Sequence, residues 1–169
     1  MKSTPEIIGF LREQWSRPQE AIHRGKRTPF LLACSFADQP AERAAIDRIG
    51  LAIPPDVRDL WSTTKSASLF KDQQFSQWGL ELLDPTSAAR ESTHRRSTRH
   101  RDFCDTDLVL GRFLGDSDLL VIRCEPDQPD YGSVLIALPL DKRSKWPVGA
   151  KAFAVFLECL LDAQGDKYW

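Results

Sequence analysis

Apolar residues recur at helical spacing at both ends of this chain and at strand spacing through its second half. Near the N-terminus Ile7, Leu11 and Trp15 stand at i, i+4 and i+8, which makes one stripe of a helix. Ser3 and Glu6 have the spacing of a capping box, which satisfies N–H groups that a first helical turn leaves free, and Pro5 suits that turn. Pro18 interrupts, and a second short helix is expected around Gln19 to His23, closed by Gly25. The largely apolar run from Thr28 to Phe36 fits a strand or a helix segment by pattern alone. Asp38 or Gln39 could cap the next helix, with Pro40 in its first turn, Ile46 and Ile49 facing inward and Gly50 ending it. Pro54-Pro55 opens another, with Val57, Leu60 and Trp61 as its narrow apolar face. The first third is thus predicted to be mainly helical.

The pattern then changes. Trp78 to Leu83 begins with an apolar/polar alternation and runs into Asp84-Pro85, a turn signal. Residues 86–106 are polar and basic. After them come LVLGRFLG, the turn GDSD, DLLVIRC, a second turn EPDQPDYG, and SVLIALPLD. Apolar runs joined by short Gly/Asp/Ser turns predict three consecutive antiparallel strands. The tail returns to helix, with Ala150, Phe153, Phe156, Leu157, Leu160 and Leu161 on one broad stripe and Gly165 at the stop. Helices, a meander and a closing helix predict an α+β fold, a twisted antiparallel sheet with flanking helices, over a single domain of residues 1–169.

Composition changes this picture little. At 169 residues, 41% apolar and 28% charged, the chain can hold a core without staples. The net charge of −1 carries none of the basic excess usual in a dedicated nucleic-acid binder. No apolar run approaches the roughly 18 residues of a membrane span, and Glu6, Arg12 and Glu13 break any signal-peptide core, so the expected address is the cytoplasm. Cys34, Cys104, Cys124 and Cys159 lack zinc-ligand spacing and are expected as free thiols, mostly buried.

Motifs for chemistry are absent from the sequence. His23, His94 and His100 make no HExxH and no metal-spaced pair with cysteine, and neither a G-x-S-x-G elbow nor a phosphate-binding glycine loop occurs. Asp116 and Asp118, with Asp102, Asp105 and Asp107 upstream, are the best carboxylate set for a metal. An EF-hand loop begun at Asp116 fails, because Val121 stands at its glycine position and Asp127 at its glutamate position. Asp and Ser capping a tight turn is the plainer account. No cofactor, no metal and no enzymatic activity are expected. The run Arg90 to Arg101 sets Arg90, Arg95, Arg96, Arg99 and Arg101 against Glu91 alone. Such runs are usually solvated, so a mobile loop is expected, with His94 and His100 in it. The alternative is a basic docking patch of Arg95, Arg96, Arg99 and Arg101 for a carboxylate-rich protein surface. Without interleaved aromatics, nucleic acid has little claim on it. Of five tryptophans, Trp15, Trp61 and Trp78 read as core, while Trp146 and Trp169 read either as interface anchors or as cover for the core edge.

Read together, IPPDVRDLWSTTKSASLF, WGLELLDP, LVLGRFLGDSDLLVI and DYGSVLIALPLDKRSKWPVGAKAFAVFLECLLDAQGDKYW resemble the SUKH superfamily, over about Leu51 to Trp169. That group includes fungal cell-wall assembly regulators and bacterial immunity proteins against polymorphic toxins. Thr64-Lys65-Ser66-Ala67 departs from the Asn-Gly common after the Pro-started helix, and residues 1–50 form a mainly helical extension outside the resemblance. The resemblance implies an α+β fold and a non-catalytic module that binds and neutralises a toxin domain. The alternative is a regulator or scaffold of the same fold. The expected partner contacts are Asp116, Asp118, Asp130, Tyr131 and Trp146, at turns and strand ends.

Overall fold

The computed structural model describes residues 1–169. Helix α1 (Thr4–Trp15) forms where the pattern places it. Glu6 accepts from both the Ser3 N–H and the Ser3 hydroxyl at 2.7 Å, and Ile7, Ile8, Leu11 and Trp15 are buried. The short helix expected at Gln19 to His23 is instead a small hairpin of β1 (Ile22–His23) and β2 (Lys26–Arg27). Its turn residues Arg24 and Gly25 have φ of +51° and +78°, the left-handed pair that a two-residue hairpin turn requires, so Gly25 turns a hairpin and does not close a helix. Gln19 exchanges two backbone hydrogen bonds with Leu32, at 3.0 and 2.8 Å, and so ties this segment to β3 (Leu32–Phe36).

Helix α2 (Arg43–Asp47) starts later than expected, with Glu42 at its N-cap. Residues 39–41 are drawn elsewhere: Ala41 N–H donates to Trp61 C=O, and Gln39 C=O accepts from Lys65 N–H. Helix α3 (Pro55–Thr63) follows the prediction and buries Val57, Leu60 and Trp61 completely. Strands β4 (Ala67–Asp72) and β5 (Leu80–Leu82) come next.

Asp84 does not mark a mere turn, and the arginine-rich run is not a loop. Asp84 is the N-cap of α4 (Pro85–Thr98), accepting from Ser87 N–H at 3.0 Å and from Ser87 Oγ at 2.7 Å. Only Pro85, Ala88 and Ser92 of this helix are buried. Small side chains let the helix axis approach the sheet closely, so little apolar sequence is needed to dock it. Ser92 also completes the sheet: its Oγ accepts from Val109 N–H at 2.8 Å and donates to Ala88 C=O at 2.6 Å. Val109 lies at a register irregularity, beyond the reach of β5, where its N–H lacks a strand partner on that side.

The expected meander follows as β6 (Asp107–Phe113), β7 (Leu119–Arg123) and β8 (Val134–Ala137). β9 (Val148–Ala150) takes residues predicted for the C-terminal helix, so Ala150 pairs with Val134 at the sheet edge and α5 spans Phe153–Asp162. Gly165, at φ +84°, ends α5 by donating to Leu160 C=O. Strands β3 to β9 form one antiparallel sheet in chain order. The row Leu82, Gly111, Leu120, Ile136 lies on the face packed by α5, which contacts α1 and α3 in turn. The opposite face is divided. Helix α4 and residues 99–106 and 138–146 cover its β6–β8 half, while Ser35, Ser68, Glu81 and Arg112 stand in register across its open β3–β6 half. The fold is thus α+β with flanking helices, and no helix is long and apolar enough to cross a membrane.

Candidate protein-binding surface

The two aspartates of the β6–β7 turn are engaged inside the molecule. Asp116 Oδ1 accepts from Asp118 N–H at 3.1 Å, the turn-capping role weighed for it. Lys167 Nζ contacts Asp116 and lies 3.2 Å from Asp118, above the rings of Trp78 and Phe113. Asp118 is buried, and burial raises its carboxyl pKa while lowering that of the Lys167 amine. Trp169 packs on Phe113 and Phe156, which makes it cover for the core.

Asp130 and Tyr131 lie at the other end of β7, in the β7–β8 turn. Five strand residues separate the two turns by about 17 Å at 3.4 Å per residue, so the expected contact residues do not converge. Asp130 accepts from Arg123 Nε at 3.0 Å. Tyr131 is half-buried, and burial pushes its phenol above the ordinary value.

Trp146, expected as a surface anchor or as edge cover, is cover: it is 6% exposed, and its ring meets Phe103 edge-on at 5.0 Å. The guanidiniums of Arg99 and Arg143 lie 5.5 and 5.3 Å from the Trp146 ring. Around them runs an ionic network. Arg99 donates to Leu138 C=O at 3.0 Å, to Asp141 C=O at 2.9 Å and to the Asp102 carboxylate at 3.0 Å. Arg143 donates to Asp102 C=O and to both carboxylate oxygens of Asp107. Asp107 is fully buried and also accepts from Arg123 at 3.1 Å and from Cys104 N–H at 2.7 Å.

The arginines read as one docking patch therefore divide. Arg96 and Arg99 are built into the packing, Arg96 through a 3.3 Å bond to Asp107 C=O. Arg95 pairs with Glu91 at 2.7 Å along α4. Arg101 is exposed and makes no side-chain hydrogen bond or ion pair, and the same holds for His94 and His100. Lys142 and Lys145, also exposed and unpaired, join Arg101 because Arg143 brings their loop onto Asp102. Beside them Leu140 is 96% exposed. The sequence signal for these residues is the string LDKRSK, whose charges gain meaning only once the loop is known to fold back on α4.

Elsewhere the chemistry is sparse. No group of three or more His, Cys, Asp and Glu side chains is placed to hold a metal ion. The cysteines are free. Burial pushes the thiols of Cys34 and Cys124 to about 12, the former opposed by a hydrogen bond from Phe70 N–H. The open half of the sheet carries a groove of about 440 Å³ beside Ser35, Ser68, Glu81, Asp84, Ser87 and Arg112, in which Glu81 and Arg112 pair at 3.3 Å. No histidine or cysteine lines it to act as base or nucleophile. Compared with known proteins, the chain matches no family model and no curated protein.

Proposed function

We propose that this chain is a non-catalytic, cytoplasmic protein-binding module that neutralises a toxin domain, as the SUKH-like motifs from Leu51 to Trp169 imply. The observation that supports a binding role is the braced surface at the C-terminal end of α4. There unpaired cations and one fully solvated leucine sit on a scaffold of buried ion pairs. Binding gains when the surface is ordered beforehand, because less side-chain and loop entropy is lost on association.

The test is recovery of the tagged chain from its host, with mass spectrometry of whatever accompanies it. A stoichiometric partner carrying a toxin domain, whose activity falls to background when the purified chain is added, supports the reading. A partner whose activity the chain leaves intact rejects neutralisation and selects the second reading, a regulator or scaffold that docks through the same basic surface.

A further inference from the structure

We infer that the surface formed by Arg101, Lys142, Lys145 and Leu140 docks a net-acidic protein face that offers a recess for the leucine. The inference rests on the protein-binding reading but not on the partner being a toxin. Three observations carry it.

The first is local charge. Residues 95–101 and 140–146 together hold seven Arg and Lys and a single acid, Asp141, in a chain whose net charge is −1. Arg96, Arg99 and Arg143 are spent on internal contacts, and Arg95 is paired. Arg101, Lys142 and Lys145 make no side-chain hydrogen bond or ion pair of their own on either side of the Asp102–Arg143 contact, although Lys142 lies within the field of Asp102, so their charges are open to an acidic partner.

The second is the presentation of Leu140. A single exposed leucine is ordinary on a protein surface. This one is held out: the Arg99 guanidinium grips the carbonyls of Leu138 and Asp141, on both sides of it. Trp146 Nε1 donates to the same Asp141 carbonyl at 3.1 Å. The loop cannot fold the leucine inward without breaking these bonds. Exposed Pro139 beside it further limits the backbone.

The third favours protein over nucleic acid. The large aromatics nearest the patch, Phe103 and Trp146, are buried, so neither is available for base stacking, which leaves the small imidazole of His100 as the exposed ring beside Arg101. An apolar knob ringed by cations fits a protein surface with an acidic rim around a small recess.

The experiment places a benzophenone photo-crosslinking amino acid at Leu140 in the full chain, expressed in its host, with Phe75 on a distant exposed site as the control position. The expected result is one covalent adduct from position 140, joined to a peptide of net negative charge. The charge reversal Arg101→Glu/Lys142→Glu/Lys145→Glu should lower its yield about tenfold or more, in line with the loss of electrostatic steering. Because those three side chains make no internal hydrogen bond or ion pair, the variant should keep the wild-type circular dichroism spectrum and melting temperature. An acidic adduct without toxin activity leaves this inference standing while the toxin reading fails. An adduct with nucleic acid, an adduct through a neutral or basic peptide, a yield indifferent to charge reversal, or no adduct at position 140 would overturn it.

Discussion

Replacing Asp107 with asparagine tests how the folded-back loop is held. The carboxylate is 0% exposed and sits between Arg123, whose side chain is 9% exposed, and Arg143, at 26%. The asparagine side chain would keep the shape but remove the charge, and its amide NH₂ would face a guanidinium donor. Breaking a buried ion pair by removing one partner costs about 3–5 kcal/mol, because the other charge is left in a poorly solvated site. Arg123 retains Asp130 and Glu125, but those side chains are 53% and 42% exposed, and such screened pairs return little. The Arg143 guanidinium retains only its bond to Asp102 C=O and its place over the Trp146 ring. The expected loss is therefore about 3 kcal/mol or more, equivalent to roughly 10 °C in Tm for a chain of this size. Urea unfolding followed by tryptophan fluorescence measures it, with an unchanged m-value showing that the loss belongs to the native state. Adding Arg123→Met should restore part of the stability, since it removes the orphaned charge. A loss below about 1 kcal/mol for Asp107→Asn would refute the reasoning, and so would a double variant weaker than the single.

Ser92→Ala should cost about 1–3 kcal/mol by equilibrium unfolding, because Val109 N–H is then buried without an acceptor. Gly115→Ala should destabilise by about 1–3 kcal/mol or prevent folding, since Gly115 has φ +97° and an added Cβ would collide with the Gln77 carbonyl oxygen. At Asp84, burial raises the carboxyl pKa, but hydrogen bonds from the Ser87 hydroxyl and N–H outweigh it and hold the group below its ordinary range. Its stabilisation is therefore complete above the unfolded value of about 3.9 and is lost as pH falls through the lower folded value. Asp84→Asn should accordingly flatten the acid limb of a stability–pH curve below about pH 4 while changing neutral stability little, asparagine being a good N-cap. Leu140→Asp should leave urea stability within about 0.5 kcal/mol, as expected for a surface change that breaks no contact.

The candidate surface was legible in the sequence only as raw material. Arg101 stood out within the arginine run, but Leu140, Lys142 and Lys145 showed only as the charged string LDKRSK, because their meaning depends on contacts across some forty residues of chain. Asp116 and Asp118 looked available because a turn is normally solvated, and nothing in a local window shows that Lys167 reaches them. Trp146 carried two readings until Phe103 and the two arginines closed over it.

Periodicity and turn chemistry, both local, determined α1, α3, α5 and the β6–β8 meander, and with them the α+β class. Where a stripe is wide or a turn residue is obligatory, neighbours along the chain suffice. Other elements were decided by partners distant in sequence. The segment at Gln19 pairs with Leu32 and becomes extended, residues 39–41 bond to the end of α3 and delay α2, and Val148–Ala150 lie on β8 instead of joining α5. Helix α4 is the clearest case. Its charged sequence reads as solvent, yet Ala88 and Ser92 are enough to dock it, because a close approach to the sheet needs small side chains and one hydroxyl for the orphan Val109 N–H. Hydrophobic pattern records how much apolar surface a segment can bury, whereas backbone hydrogen-bond partners and buried ion pairs exist only once distant segments meet.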